Sequence, residues 1–183
     1  MIDLPYPREV EVVSLLASPA HRFEGRPSDG PRPITTRELH ESIEVRAHLG
    51  IVGDRYFGQR AHVTASVTIF SIESLETVAH ELGLDASLDP SDTRRNVIVR
   101  GMPIDEMRGE TFSLDTGSGP VTFIAHRPAN PCAWMDVTLA PGAHKALRRR
   151  GGMRCEPLSS GTLALGPAVL RTAQPLDAPV ALF

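Results

Sequence analysis

The stretch at residues 65–83, ASVTIFSIESLETVAHELG, predicts a strand that passes directly into a helix. Residues 65–70 form a short apolar, partly β-branched run, which is typical of a strand. Ser71 is a suitable N-cap residue, and Gly83 is a suitable residue to end the helix. The apolar face of the predicted helix consists of Ile72, Leu75, Ala79 and Leu82. We therefore expect this helix to pack against the core.

Further short strands are predicted on both sides of this unit, separated by turn signals. They cover residues 9–16, 42–48, 97–99, 111–114, 121–125, 153–158 and 168–171, and short helices are predicted at residues 131–139 and 143–150. Many short strands with few inserted helices predict a mainly β (α+β) fold with a β-barrel-like core.

The chain is predicted to form a single domain over residues 1–183, because no internal repeat or linker divides it. The core is expected at about residues 8–171. The tail at residues 172–183 contains prolines and apolar residues, so it either frays or packs on a second copy of the chain in a homodimer.

Composition excludes several classes of protein. The formal net charge of −3 argues against a general nucleic-acid binder. No apolar run approaches the ~20 residues that span a bilayer, so we expect no membrane insertion. The first residues lack the pattern of a signal peptide, and a cytoplasmic location is expected. In a reducing compartment Cys132 and Cys155 are not expected to form a structural disulfide, and their spacing matches no zinc pattern.

Residues 18–33, SPAHRFEGRPSDGPRP, are rich in glycine and proline and predict a long loop. Long loops in compact domains are often lids or binding loops, and Arg22, Phe23 and Arg26 offer side chains for contacts. A disordered insertion is the alternative interpretation.

Cys132 lies in the segment HRPANPCAWMD at residues 126–136. Two prolines stiffen the backbone before the thiol, which therefore leaves a strand end on a rigid turn. Arg127 and His126 are basic neighbours that would favour the thiolate, the form that attacks electrophiles and binds soft metals. The alternative is a buried structural cysteine, which is the expected role for Cys155.

Two other segments carry polar groups without an evident structural role. In GDRYFG, at residues 53–58, the glycines permit close approach to a ligand and Arg55 could bind a phosphate. Arg94, Arg95 and Asn96 lead into a predicted strand, where two arginines and an amide suit an anion. A local salt bridge and a solvated strand edge are the respective alternatives.

The order of GDRYFG, VTIFSIESLE, RRNVIVRG and PCAW, followed by a Gly-Gly strand, resembles the MOSC family over about residues 10–170. The family is named for the C-terminal domain of molybdenum cofactor sulfurase. The resemblance implies a barrel and a pocket for molybdopterin or the molybdenum cofactor. It also implies that Cys132 either ligates molybdenum or carries sulfur as a persulfide. By the same match, Arg95 and Asn96 would hold the pterin phosphate, and the turn around Asp54 and Arg55 would border the site. The full set of expected cofactor-binding residues is Asp54, Arg55, Arg94, Arg95, Asn96, Arg127 and Asn130.

The resemblance favours an oxidoreductase that reduces N-hydroxylated small molecules. The chain has no CxxC pair, flavin fingerprint or GxGxxG motif, so a separate reductase must donate the electrons. Two alternatives stay open: a sulfur carrier that holds a persulfide on Cys132 after reaction with a sulfur donor, and a binding module for the cofactor. Pyridoxal phosphate is not expected, because the aminotransferase-like machinery of full-length sulfurases is absent.

Overall fold

The computed structural model describes residues 2–176, and it confirms a mainly β fold with a closed barrel and few helices. Its strands are β1 (Tyr6–Leu15), β2 (Ser42–Arg46), β3 (Gly50–Ile51), β4 (Val67–Ser71), β5 (Val97–Arg100), β6 (Thr111–Asp115), β7 (Val121–Pro128), β8 (Met153–Pro157), β9 (Gly161–Ala164) and β10 (Gly166–Thr172). Its α-helices are α1 (Ile72–Glu81), α2 (Trp134–Thr138) and α3 (Ala143–Ala146). Most of the predicted tail, residues 177–183, lies outside the described residues.

Seven strands close the barrel in the order β1-β10-β6-β7-β8-β4-β5, with β5 pairing back onto β1. The first strand is also paired with the last, so that Tyr6 lies opposite Thr172. Neighbouring barrel strands are antiparallel, except for β4 and β5, which are parallel. A parallel pair needs a crossover, and α1 is part of that crossover.

Helix α1 begins where the sequence predicts, directly after β4. Ser71 occupies the N-cap position, but its hydroxyl donates to Glu73 Oε2 at 2.5 Å instead of capping a backbone N–H. Ile72, Leu75 and Val78 are its buried residues. This face packs with α2 and α3 in an apolar cluster outside the barrel, which includes Phe70 and Ile98.

The barrel interior forms a second apolar cluster, filled by alternate residues of the strands. In β1, Val10 and Val12 point inward, and a bulge between Val12 and Ser14 shifts the alternation so that Leu15 is the next buried residue. Val13 instead packs against the helical cluster. The bulge thus lets one strand serve both clusters.

A separate three-stranded sheet has the order β3-β2-β9. Strand β9 was not predicted from the sequence. Within residues 2–176, no helix is long and apolar enough to cross a membrane.

Candidate functional site

A cavity of about 290 Å³ opens between the turn after β3, the entrance to β5, the segment before α2 and the loop that follows β1. This volume is at the lower end of the range of small-molecule pockets. Six of the predicted site residues and the predicted ligand Cys132 line it together, although they are far apart in sequence. They are Asp54, Arg55, Arg94, Arg95, Asn96, Asn130 and Cys132. The seventh predicted cofactor-binding residue, Arg127, is exposed and does not line the cavity.

Asp54 and Asn96 form the rigid floor of the cavity. Asn96 Nδ2 donates to Leu16 O at 3.0 Å and to Asp54 Oδ2 at 3.1 Å. Asn96 Oδ1 accepts from the backbone N–H and the hydroxyl of Thr68, at 2.9 and 2.8 Å. The amide of Asn96 has therefore used its donors and acceptors. We expect Asn96 to position Asp54 more than to bind a ligand.

The Asp54 carboxylate is 9% exposed and accepts from three groups. Besides Asn96, the backbone N–H groups of Tyr56 and Ser18 donate to it at 3.0 and 3.3 Å. Burial raises the pKa of this carboxyl, while these hydrogen bonds and the charge of Arg94 act in the opposite direction. Asp54 thus fixes the start of the long loop against the turn after β3.

Arg94 is engaged in a buried ion pair. Its Nη1 and Nη2 donate to the two carboxylate oxygens of Glu38, at 2.6 and 2.9 Å, and Ser18 Oγ also donates to Glu38. Burial tends to raise the pKa of Glu38, but the hydrogen bonds from Arg94 and Ser18 and the charges of Arg94 and Arg22 hold it below its usual value. The backbone of Arg94 is left-handed, with φ at 57°. Arg94 is therefore a structural part of the wall, and its charge is neutralised.

Arg95 differs from Arg94 because no carboxylate of residues 2–176 pairs with it. Its Nε donates to Gly151 O at 2.9 Å and its Nη2 to Ala129 O at 2.5 Å, while Nη1 has no partner among those residues. Burial lowers the pKa of Arg95 to about 10, and the charge of Arg154 acts in the same direction. The guanidinium is still charged near neutral pH, and it lines the same cavity as Cys132.

The turn at Gly151 and Gly152 holds the cysteine segment in place. Ala129 N donates to Gly152 O at 2.8 Å, and Gly152 N donates to Asp105 Oδ1 at 2.8 Å. Gly152 has φ at +81°, and a side chain there would overlap the backbone of Ile69. The two glycines therefore let three backbone segments approach closely beside the cavity.

Cys132 lies on the rim of the cavity, between Asn130 and the start of α2. It is exposed, and its carbonyl accepts from Met135 N at 2.9 Å. The expected basic neighbours are placed elsewhere: His126 Nε2 lies 2.9 Å from Glu156 Oε2, and neither His126 nor Arg127 lines the cavity. Arg95 is a basic residue that lines the cavity together with Cys132.

The loop that follows β1 is ordered against the cavity. Arg22 Nη1 lies 3.3 Å from Asp92 Oδ1. The ring of Phe23 stacks on that of Trp134, with 5.1 Å between centroids and an angle of 7° between planes. Both rings line the cavity, so the loop supplies one of its walls. This geometry favours the interpretation as a binding loop over that of a disordered insertion.

Arg154 lines the cavity but was missed in the sequence. It lies in β8 between Met153 and Cys155, which both point into the barrel. Strand alternation therefore directs Arg154 to the outer face. The alternation is visible in the sequence, but it does not tell whether an outward arginine faces solvent or a cavity.

Across residues 2–176, no group of three or more His, Cys, Asp or Glu side chains could hold a metal ion. Any metal in the cavity would therefore need most of its ligands from a cofactor, and Cys132 is the soft protein ligand available at the rim.

The two thiols are expected to react very differently. Cys155 is 0% exposed inside the barrel, and burial strongly raises its pKa. Because accessible thiolates are the reactive form, iodoacetamide should label Cys132 alone in the folded protein and both cysteines in denaturant. Intact-mass measurement with peptide mapping checks this. Labelling of Cys155 in the folded state would contradict the barrel placement.

A family model described as "MOSC domain" matches residues 46–170. This range covers more than half of the chain and includes the turn after β3, the entrance to β5 and Cys132. No curated protein sequence matches the chain.

Solved structures share the fold at low sequence identity. YuaD from Bacillus subtilis is 17% identical, with a TM-score of 0.67, over 92% of this chain and 98% of that chain. YiiM from Geobacillus stearothermophilus is 14% identical, with a TM-score of 0.56, over 90% of this chain and 75% of that one. YiiM from Escherichia coli is 14% identical, with a TM-score of 0.55, over 95% and 73%. At these identities the likeness shows the fold alone.

Proposed function

Because the chain belongs to the MOSC domain family, which is generally associated with molybdenum cofactor binding, we propose that its cavity binds this cofactor. We further propose that the protein reduces N-hydroxylated small molecules with electrons from a separate reductase. Cys132 would be the thiolate ligand of the metal, and the basic wall would hold the anionic part of the pterin.

One observation carries the proposal: an exposed thiol and unpaired guanidinium groups line the same cavity. Arg55 and Arg95 have no carboxylate partner among the described residues, whereas the charge of Arg94 is neutralised by Glu38. Unpaired arginines suit a phosphate group, and a thiolate suits a soft metal. The donor set therefore fits an anionic cofactor that brings most of its own metal ligands.

When bound, the molybdenum cofactor supplies two-electron redox chemistry at the metal. The chain's own contribution is binding and orientation. The stacked rings of Phe23 and Trp134 line the cavity with Cys132 and give it an apolar wall. Asp54 and Asn96 hold the opposite side rigid through their hydrogen bonds.

Reduction of an N–OH group to N–H consumes two electrons and two protons and releases one water molecule. The electrons come from the separate reductase, and the protons come from solvent or from side chains that line the cavity. Tyr56 lines the cavity, and its hydroxyl accepts a hydrogen bond from Arg55 Nη2 at 2.7 Å. Its own proton is therefore free to be donated to a bound substrate.

Sulfur transfer is the second candidate, and the exposure of Cys132 favours it. In that reaction the Cys132 thiolate takes the outer sulfur of a donor persulfide, and the donor thiolate leaves. The resulting persulfide then passes its sulfur to an acceptor.

The test starts with protein purified from a molybdate-replete host. Metal analysis and pterin fluorescence measure cofactor content, and reduced methyl viologen replaces the reductase in an assay with benzamidoxime. Molybdenum and pterin near one per chain, with amidine formation, support the proposal. A metal-free protein that gains the mass of one sulfur atom on Cys132 contradicts it and supports sulfur transfer. If the protein binds the cofactor but reduces none of several N-hydroxylated compounds, it is a cofactor-binding module and the proposed enzymatic activity is overturned.

A further inference from the structure

Three arginines that line the cavity lack a carboxylate partner within residues 2–176: Arg55, Arg95 and Arg154. The side chain of Arg154 has no hydrogen bond or ion pair to any of those residues, and only its backbone pairs, within the barrel. By contrast, Arg22 and Arg94, which line the same cavity, pair with Asp92 and Glu38. The cavity therefore contains two kinds of arginine, neutralised and unneutralised.

The charge of Arg154 is close enough to act unfavourably on both Arg95 and Arg55. Burial is the main cause that lowers the pKa of both arginines. The charge of Arg154 is the next cause at Arg95, and at Arg55 it acts in the same direction but less than the charge of Arg94. Arg154 thus interacts with both of the others and is central to the cluster. Like charges held together in a partly buried site are unfavourable unless an anion compensates them.

The carboxylates near the cluster already have other partners. Asp105 lies outside the cavity lining and its charge acts favourably on Arg95, but it accepts from Gly152 N and Ser74 Oγ and forms no ion pair with the three arginines. Asp54 is the carboxylate that lines this cavity, and three donors already occupy it. Tyr56 also fails to neutralise the cluster: its hydroxyl accepts from Arg55 Nη2, and Arg55 Cζ lies 4.4 Å from the centre of its ring. The free donors of Arg95 and Arg154 are left for a ligand.

We propose that Arg55, Arg95 and Arg154 together form a site for a tetrahedral oxyanion group with two negative charges, and that Arg154 binds it directly. The group is either a phosphate monoester or a free oxyanion. The expectation that its source in the cell is the phosphate of a pterin cofactor rests on the proposed function; the oxyanion site itself rests on the three arginines.

The chain offers a closely matched control for Arg154. Arg127 lies directly opposite Arg154 in the pairing of β7 with β8, but it is exposed and outside the cavity. Arg127→Ala and Arg154→Ala remove the same charge from paired positions. The sequence predicts Arg127 as a cofactor-binding residue, whereas the lining of the cavity favours Arg154.

The experiment is calorimetric titration of metal-free protein with inorganic phosphate at constant ionic strength. Arg154→Ala should weaken binding by about tenfold to a hundredfold, the usual effect of losing a charge-assisted hydrogen bond, and Arg127→Ala by less than about twofold. In chloride buffer, Arg154→Ala should melt at the same temperature as the wild type or higher, because a repulsive charge is removed. If Arg154 had only a structural role, its replacement with alanine would lower the melting temperature.

Molybdopterin, titrated into the same variants, identifies the source of the oxyanion. If phosphate competes with molybdopterin, and Arg154→Ala weakens molybdopterin binding as much as phosphate binding, the site holds the pterin phosphate. Phosphate binding that depends on Arg154, without molybdopterin binding, keeps the oxyanion site and overturns the proposed function. Molybdopterin binding that does not depend on Arg154 keeps the proposed function and overturns the oxyanion site. Equal losses in Arg127→Ala and Arg154→Ala, or no phosphate binding by the wild type, would overturn the oxyanion site.

Discussion

Replacing Cys132 with serine is expected to abolish molybdenum retention and N-hydroxyl reduction while the protein stays folded. Loss of even an outer-shell partner of a metal ligand typically costs 10–100-fold, so loss of the thiolate itself should cost more than about 100-fold in activity. Because the side chain is exposed, the free energy of unfolding should change by less than about 0.5 kcal/mol. Metal analysis, the benzamidoxime assay and urea denaturation measure the three quantities.

The matched control is Cys155→Ser, which changes the same atom at a buried position. It places a hydroxyl inside the barrel, which should lower the free energy of unfolding by about 1–3 kcal/mol while molybdenum content and activity per folded molecule persist. If Cys132→Ser retained the metal and Cys155→Ser lost it, the assignment of Cys132 as the ligand would be wrong.

Gly152→Ala is expected to be the most destabilising glycine-to-alanine substitution near the cavity. A Cβ at this position would overlap the carbonyl oxygen of Ile69 and lie 3.1 Å from the Cα of Phe70, and φ is +81°. Left-handed strain of about 1–2 kcal/mol and overpacking of about 1–3 kcal/mol add to a loss of about 2–5 kcal/mol. Urea denaturation measures it. Phosphate affinity should fall as well, because the neighbouring Gly151 carbonyl orients Arg95.

Gly109→Ala separates the two contributions. Gly109 has φ at +84°, but no atom lies within 4 Å of a Cβ built there. This variant should therefore lose only the strain, about 1–2 kcal/mol, and should bind phosphate normally. Equal destabilisation of the two variants would show that crowding at Gly152 contributes nothing.

The sequence predicted the barrel well because alternation and turn signals are local. The strand–helix unit at Ser71, the strands that flank it and the entrance to β5 all lie close to their predicted bounds. Strand β9 was missed because four residues that begin with glycine carry too short a pattern. It forms because β2 offers it a partner, which is a tertiary effect.

The candidate site was predicted less completely, because motifs identify residue types and not their partners. Arg94 and Arg95 are adjacent and look equivalent, yet Glu38, distant in sequence, neutralises only Arg94. Arg127 was favoured because it precedes Cys132, but its cross-strand neighbour Arg154 lines the cavity. Whether these residues bind the cofactor stays a prediction, which the titrations above test.

The position of β10 has a consequence for how the chain acquires its fold during synthesis. This strand lies between β1 and β6, so both of them lack one partner strand until residues 166–172 have been synthesised. Until residues 166–172 emerge, β1 and β6 each present an unpaired edge. We therefore expect the barrel to close only after residues 166–172 have left the ribosome. A nascent chain stalled before this strand should bind chaperones or aggregate, whereas release of the full chain should allow rapid closure.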